Sequence, residues 1–288
     1  MGVKEKRIIN RNDKIPHFEK TLNHTKEAID KRCSWLEEKT GTTLRYIRNF
    51  SVNPTNTKGN IENLIGMAQV PLGIAGPLLI NGENARGNFY VPMATTEGAL
   101  VTSYHTGMRV VTKSGGLYTS VLSNAVHISP VFFVRNMIEA KALIKWIKHH
   151  STKIKAAAEN TTEHGKVLAI EPHIMGRRLI LKFKYNSQDA QCMNMISKAT
   201  DAACQYISAK TKKRYYLFSK FSSIKIVSAS NIQGGYGRKV FVEGIVRRDD
   251  LRLLHTTPEK LYEYFTSCNL VSTHAGSIGM NAHIANAI

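Results

Sequence analysis

The sequence predicts an α+β protein, and three observations support this class. Residues 131–218 show strand and helix periodicities in the order βαββαβ, the ferredoxin-like arrangement. The Gly- and Pro-rich block 61–120 is typical of strands and turns that lead into a helix. The chain has 288 residues with 42% hydrophobic content, enough to bury the core of one large domain or two ordinary ones.

Residues 1–60 are polar and basic, and they contain one convincing helix over residues 26–39. Ile29 and Cys33 fall on one face of this helix, and Gly41 follows as a stop signal. We therefore expect a helical N-terminal segment that precedes the main fold.

Block 61–120 contains an apolar strand that runs into the segment Pro-Met-Ala-Thr-Thr-Glu-Gly at residues 92–98. Apolar residues then recur at helical spacing: Leu100, Tyr104, Met108 and Val111. The pattern places the Glu97 carboxylate in the first helical turn. An acidic residue there usually complements the helix dipole, so its position alone does not establish catalysis.

The remaining elements follow from periodicity. The predicted strands are 131–134, 166–172, 178–185 and 215–218, and the predicted helices are 136–159 and 190–209. Strand 178–185 is the clearest, since its residues alternate between two sets: Leu179, Leu181, Phe183 and Tyr185 on one face, and Ile180, Lys182 and Lys184 on the other. The second face of this strand is therefore expected to be exposed and basic.

The formal charge of +19 favours polyanionic partners, which include nucleic acid, a membrane surface and phosphate-rich cofactors. Composition does not choose among them. The four Cys and eleven His lack the spacing of a disulfide framework or a zinc site. The sequence has no apolar run that could cross a bilayer and no secretory leader, so it predicts a cytoplasmic protein without bound metal.

Three motifs resemble the substrate-binding half of hydroxymethylglutaryl-CoA (HMG-CoA) reductase. They are residues 62–66 (Glu-Asn-Leu-Ile-Gly), 71–77 (Pro-Leu-Gly-Ile-Ala-Gly-Pro) and 92–98. The resemblance covers about residues 55–288. It implies a large mixed α/β substrate-binding domain with an inserted ferredoxin-like (βαββαβ) cofactor domain. The expected boundaries are 1–60 for the helical segment, 61–120 and 218–288 for the large domain, and 121–217 for the small NADP-binding domain.

Residues 189–198 resemble the family motif that binds the nicotinamide cofactor. Asp189, Met193 and Asn194 match that motif, whereas Gln191 and Cys192 depart from it. The resemblance implies NADPH as the cofactor, with NADH as a possible alternative. Free backbone N–H groups at a helix N-terminus suit a dinucleotide, although an Asp there is more often an ordinary N-cap.

A gap-free overlay of residues 219–240 on the family places Lys225 at the position of a catalytic lysine. An ammonium group between two Ile residues would suit oxyanion stabilisation if desolvated, or it would reach solvent from a strand. Residues 275–286 resemble another family segment, in which Asn286 helps to orient the catalytic Lys and Glu. The implied catalytic pair is thus Glu97 and Lys225, and the implied substrate-binding residues are Glu62, Asn63 and Asn286.

The resemblance implies an NADPH-dependent, four-electron reduction of HMG-CoA to mevalonate and CoA by two hydride transfers. It also implies a homodimer. The family's catalytic Asp and late His would follow Ile288, so residues 1–288 alone are expected to form little mevalonate. One alternative is a truncated, inactive remnant that still binds CoA or a dinucleotide. A second alternative is a basic nucleic-acid-binding protein. It is remote because the RNP-like pattern of aromatic residues on strands is missing.

Overall fold

A computed structural model describes residues 14–20, 22–188, 193–224, 226 and 228–277. The helices are α1 (Lys26–Thr40), α2 (Arg45–Arg48), α3 (Leu100–Lys113), α4 (Met137–His149), α5 (Ser151–Glu159), α6 (Met193–Thr211), α7 (Ala229–Gly234) and α8 (Pro258–His274). The strands are β1 (Leu72–Asn81), β2 (Arg86–Ala94), β3 (Tyr118–Ile128), β4 (Val131–Phe133), β5 (Lys166–Met175), β6 (Arg178–Asn186), β7 (Tyr215–Tyr216) and β8 (Gly237–Glu243). This mixture confirms the α+β class.

The chain divides into two compact units. The first contains the residues up to Ala75 and Pro92–Ser103, and the second contains Gly76–Val91 and Tyr104–Met280. Strands β1 and β2 form a two-stranded sheet. None of the helices in the described ranges combines the length and apolar character needed to cross a bilayer.

The first unit is organised around α1. The Thr25 hydroxyl accepts a hydrogen bond from the Ala28 N–H at 3.3 Å, and Gly41 ends the helix with a left-handed φ of 67°. Ile29 and Cys33 are buried against Leu64, and this apolar cluster is small. The predicted helix and its stop signal are confirmed. Because the apolar cluster is small, polar contacts are also needed to hold the segment around Leu64 in place.

The second unit is built on a six-stranded sheet with the order β7-β4-β6-β3-β8, and β5 pairs with β6. Helices α4, α5 and α6 supply apolar side chains to one core together with β6, whose Leu179, Leu181, Phe183 and Tyr185 are fully buried. The alternation in β6 therefore correctly identified the core-facing residues.

The four strands of the βαββαβ segment lie in the order β7-β4-β6-β5, and each neighbouring pair is antiparallel. Strand β3, which the periodicity did not identify, also pairs with β6 through Val126–Ile128 and with β8 along most of its length. The sheet is therefore larger than a four-stranded ferredoxin-like unit, and a separate inserted domain with the boundaries given above stays a prediction.

One long helix was predicted over 136–159, and this was wrong in detail because the helix breaks at His150. The Trp146 carbonyl accepts the His150 N–H at 3.0 Å and lies 2.8 Å from the His150 Nδ1. The backbone of His150 has a ψ of 14°. Helix α4 therefore ends at His149, and α5 begins at Ser151.

The second face of β6 was expected to be exposed and basic, and this was wrong near its middle. Ile180 and Lys182 are buried, with only 8% of Lys182 exposed. The segment that precedes β8 covers this face: Phe221 packs against His173, and Tyr236 packs edge-on against His127. Burial lowers the pKa of Lys182 below its usual value, and the nearby Lys184 lowers it further.

Candidate active site

Glu97 lies in a turn between β2 and α3. The Thr95 N–H donates to the Pro71 carbonyl at 3.1 Å, and the Thr95 hydroxyl accepts the Glu97 N–H at 2.9 Å. Ala99 then adopts a left-handed φ of 65°, so α3 begins only at Leu100. The expectation that Glu97 lies in the first helical turn was therefore wrong. The turn nevertheless presents the Glu97 side chain at an exposed position.

Glu62 and Asn63 lie in a segment that side chains of the N-terminal region hold by its backbone. The Ile61 carbonyl lies 2.9 Å from the His24 Nε2, the Leu64 carbonyl accepts from Arg32 at 2.9 Å, and the Ile65 carbonyl accepts from the Cys33 thiol at 2.8 Å. These contacts and the burial of Leu64 leave the two polar residues of the segment exposed.

The same segment includes two special backbone positions. Asn63 has a left-handed φ of 50°, a conformation that Asn tolerates better than most residues. Gly66 has a φ of 151°, and a Cβ there would lie 2.2 Å from the Ile47 carbonyl oxygen, which accepts the Met67 N–H at 3.0 Å. Only glycine permits this close approach.

Arg32 is the principal structural residue that the sequence analysis missed. Its side chain is fully buried and donates to the carbonyl oxygens of Pro16, Asn23 and Leu64 at 2.9–3.3 Å, as well as to the Asn23 side-chain amide oxygen. Burial lowers the pKa of the guanidinium from its usual value. The available signal was position, since Arg32 follows Ile29 by three residues and so shares its helix face.

The proposed cofactor residues lie at the start of α6 and directly before it. Asn194 is exposed, while Met193 is half-buried and packs at the edge of the core, where its sulfur accepts from the Tyr236 hydroxyl at 2.8 Å. Asp189 lies outside the described residues. The N-terminal end of this 19-residue helix offers backbone N–H donors and the positive end of its dipole.

Lys225 also lies outside the described residues, but its flanking segment is well anchored. The Ser219 hydroxyl donates to the Ser129 carbonyl at 2.6 Å, and the Asn231 amide donates to the Ser223 carbonyl at 3.0 Å. The Ser222 carbonyl lies 3.0 Å from the His127 Nε2, which must carry a proton to donate to it. Burial lowers the pKa of His127 to about 4, and Lys182 contributes to this shift.

Glu62, Asn63 and Glu97 thus belong to the first unit, and Met193 and Asn194 to the second. Asn286, like Asp189 and Lys225, falls outside the described residues. Within the described part of the chain, no group of three or more His, Cys, Asp or Glu side chains is placed to hold a metal ion.

Comparisons with known proteins agree with the motifs. A model of the family described as hydroxymethylglutaryl-coenzyme A reductase matches residues 28–288. The 3-hydroxy-3-methylglutaryl-coenzyme A reductase of Haloferax volcanii is 38% identical over 264 residues, which cover 91% of this chain and 66% of that protein. The reductase of Pyrococcus abyssi is 37% identical over 289 residues, which cover 98% of this chain and 71% of that protein.

The chain therefore spans about two thirds of the length of these relatives. A solved structure of the 3-hydroxy-3-methylglutaryl-coenzyme A reductase of Streptococcus pneumoniae matches with a TM-score of 0.50 at 17% identity, covering 65% of this chain and 52% of that one. At this identity the likeness concerns the fold alone. The match of the family model to nearly the whole chain shows that the chain belongs to the hydroxymethylglutaryl-coenzyme A reductase family.

Proposed function

We propose that the protein is an NADPH-dependent HMG-CoA reductase, which reduces HMG-CoA to mevalonate and releases CoA. The observation that carries this proposal is the first unit, in which a family motif holds Glu97 in an exposed turn and another leaves Glu62 and Asn63 exposed. Family membership and these three polar side chains support the same reaction class.

Glu97 is proposed as the proton donor to the alkoxide that forms when the substrate carbonyl is reduced. A carboxylic acid can transfer a proton at this step if it lies within hydrogen-bond reach of the oxygen. The turn supports this role because the Thr95 hydroxyl and the Pro71 carbonyl fix the backbone on which the carboxylate stands. Lys225 is proposed to stabilise the negative charge on the same oxygen.

Glu62, Asn63 and Asn286 are proposed to position the substrate. Asn63 can both donate and accept through its amide, and the buried contacts of Arg32 and Cys33 hold its segment in place. A rigid backbone of this kind reduces the entropy that is lost when a ligand is oriented.

The proposed cofactor segment consists of residues 189–194, and its described members, Met193 and Asn194, fit a dinucleotide. The N-terminal end of α6 suits the pyrophosphate, and the exposed Asn194 amide can hydrogen-bond a ribose hydroxyl or the carboxamide, as can Asp189. When bound, NADPH supplies the hydride. The half-buried Met193 would give the ring an apolar contact close to the core. NADH in place of NADPH, the homodimer, the cytoplasmic location and the domain boundaries are further proposals from the family resemblance.

Ligand binding and turnover test the proposal together. NADPH fluorescence should report binding to the protein, and Asn194→Ala should weaken that binding about tenfold without lowering the melting temperature. Lys210→Ala, an exposed change in the last turn of α6, is the matched control. Equal NADPH affinity in all three proteins would remove Asn194 from the site.

Turnover is followed as HMG-CoA-dependent NADPH oxidation and release of the CoA thiol. Any such oxidation should fall at least about a hundredfold in Glu97→Gln, while ligand binding is retained. Failure of the protein to bind either ligand would contradict the proposal. Oxidation that persists unchanged in Glu97→Gln would contradict the role of Glu97.

A further inference from the structure

A cationic and aromatic surface lies at one end of the sheet in the second unit. We call it the Arg–Phe patch, and it consists of Phe133, Arg178, Arg214 and Tyr216. The guanidinium carbons of the two arginines lie 4.2 and 4.1 Å from the centre of the Phe133 ring, and the Tyr216 ring lies edge-on to Phe133 at 5.3 Å. Both arginines are exposed, and 62% of Tyr216 is exposed.

Backbone pairing fixes the Arg–Phe patch. Phe133 lies opposite Arg178 in the β4–β6 register, and its N–H donates to the Arg214 carbonyl at 3.1 Å. Tyr216 lies opposite Val131, two residues before Phe133 on the same strand. Side chains two apart on a strand share a face, so these aromatic and basic groups are held together on the sheet.

The charge around the patch is strongly positive. Arg135, Arg177 and Lys213 lie beside it in sequence, and Glu139 pairs with Arg135 and Lys213 at 3.1 and 2.5 Å. In the described part of the chain no carboxylate forms an ion pair with Arg178 or Arg214. Because their ring contacts position these two guanidinium groups while leaving their charges unpaired, the patch can receive an anion.

The Arg–Phe patch is distinct from the proposed cofactor segment. Arg178 begins β6, and the proposed cofactor segment follows the last residue of this strand, Asn186, in sequence. The eight residue steps from Arg178 to Asn186 span roughly 26 Å, at about 3.3 Å per residue. A dinucleotide held at the start of α6 therefore does not account for this patch.

We propose that the Arg–Phe patch binds single-stranded nucleic acid. Arginine fits phosphate groups with paired N–H donors, and an exposed tyrosine offers a ring on which a base can stack. Two guanidinium groups held on one ring beside an exposed tyrosine suit a strand that presents phosphates and unstacked bases together, whereas a membrane surface presents diffuse charge and no base to stack. This binding is independent of the reductase function proposed above.

Fluorescence anisotropy with a short labelled oligouridine, and with the DNA strand of matching sequence, tests the proposal on the 288-residue chain. The double variant Arg178→Gln/Arg214→Gln should weaken binding at least about tenfold and reduce the slope of log affinity against log salt by about 1.4, the value for two lost phosphate contacts. Tyr216→Ala should weaken binding about tenfold with the slope unchanged, because it removes only stacking.

The matched control is Lys141→Gln/Lys145→Gln, which removes two exposed charges from α4 outside the patch. It should change affinity less than threefold, which is well below the loss of affinity expected when one base-stacking contact is removed. Equal losses in the control and the patch variant would overturn the proposal, because binding would then follow total charge. Unchanged binding in Tyr216→Ala would overturn it as well.

Sedimentation with phosphatidylserine vesicles separates a membrane site from a nucleic-acid site. The proposal expects the patch variant to lose oligonucleotide binding and to keep whatever vesicle binding the parent protein has. Loss of vesicle binding with oligonucleotide binding intact would assign the patch to membranes instead. The double-arginine variant and Tyr216→Ala both keep the main-chain hydrogen bonds of Phe133 and Val134, so circular dichroism should show an unchanged fold.

Discussion

Replacing Arg32 with alanine should destabilise the first unit by about 4 kcal/mol. The substitution leaves the Leu64 carbonyl oxygen without its donor in a buried environment, and those of Pro16 and Asn23 without theirs in a half-buried one. Each such orphaned acceptor costs about 1–3 kcal/mol, and water that enters the vacated space recovers part of that sum. Since small domains are stable by only about 5–15 kcal/mol, this loss is a large fraction of the total.

Urea unfolding monitored by Trp35 fluorescence measures this effect. Trp35 lies in α1, and Trp146→Phe removes the only other tryptophan of the chain, so the signal reports on the first unit. With a slope of about 2 kcal/mol per molar urea, the midpoint should fall by about 2 M. Lys31→Ala, an exposed neighbour on the same helix, should shift the stability by less than about 0.5 kcal/mol.

The loss should also loosen the motif that carries Glu62 and Asn63, because Leu64 supplies one of the Arg32 acceptors. Hydrogen exchange of the Met67 N–H, which bonds the Ile47 carbonyl, should therefore accelerate in Arg32→Ala. A stability change below about 1 kcal/mol, or unchanged exchange at Met67, would refute the idea that Arg32 holds this segment.

Two further changes test other parts of the fold. Gly66→Ala should lower the free energy of unfolding by more than about 3 kcal/mol, because its Cβ would overlap the Ile47 carbonyl. Gly107→Ala, whose Cβ meets open space inside α3, should be neutral or stabilising. Similar melting temperatures for the two variants would contradict this. Burial holds the pKa of His127 at about 4, so the unfolded chain takes up a proton below about pH 6.5 while the folded one does not. The free energy of unfolding should therefore fall by up to about 3 kcal/mol from pH 6.5 to 4, and His127→Gln should remove this fall. An equal fall with pH in the parent protein and in His127→Gln would disprove this.

Much of the fold was predictable from local pattern. The face of α1, the alternation in β6 and the order of the βαββαβ segment each depend on neighbours within a few residues, which periodicity detects. Strand β3 was missed because it belongs to the sheet through distant partners on β6 and β8. The burial of Lys182 had the same cause, since the segment that covers it lies some forty residues later in the chain.

The candidate site shows a similar division. Motif residues such as Glu97 could be identified by resemblance. Nothing in the sequence marks Ala99 as the left-handed residue that separates Glu97 from α3, because alanine does not favour this conformation. Arg32 was missed because its acceptors come from three separate places in the chain. The Arg–Phe patch was missed because Phe133, Arg178 and Arg214 meet only through strand register, so the aromatic residues did not form a motif in the sequence.

Calorimetric titration of HMG-CoA into the protein and its Asn63→Gly variant tests the central claim most directly. Glycine accepts the left-handed φ of 50° at this position, so the variant loses the amide while the backbone keeps its conformation. The account predicts that HMG-CoA binds the parent protein and that Asn63→Gly binds at least about tenfold more weakly at unchanged stability, the loss of one good hydrogen bond. Absence of binding to the parent protein, or equal affinity in the two proteins, would contradict it.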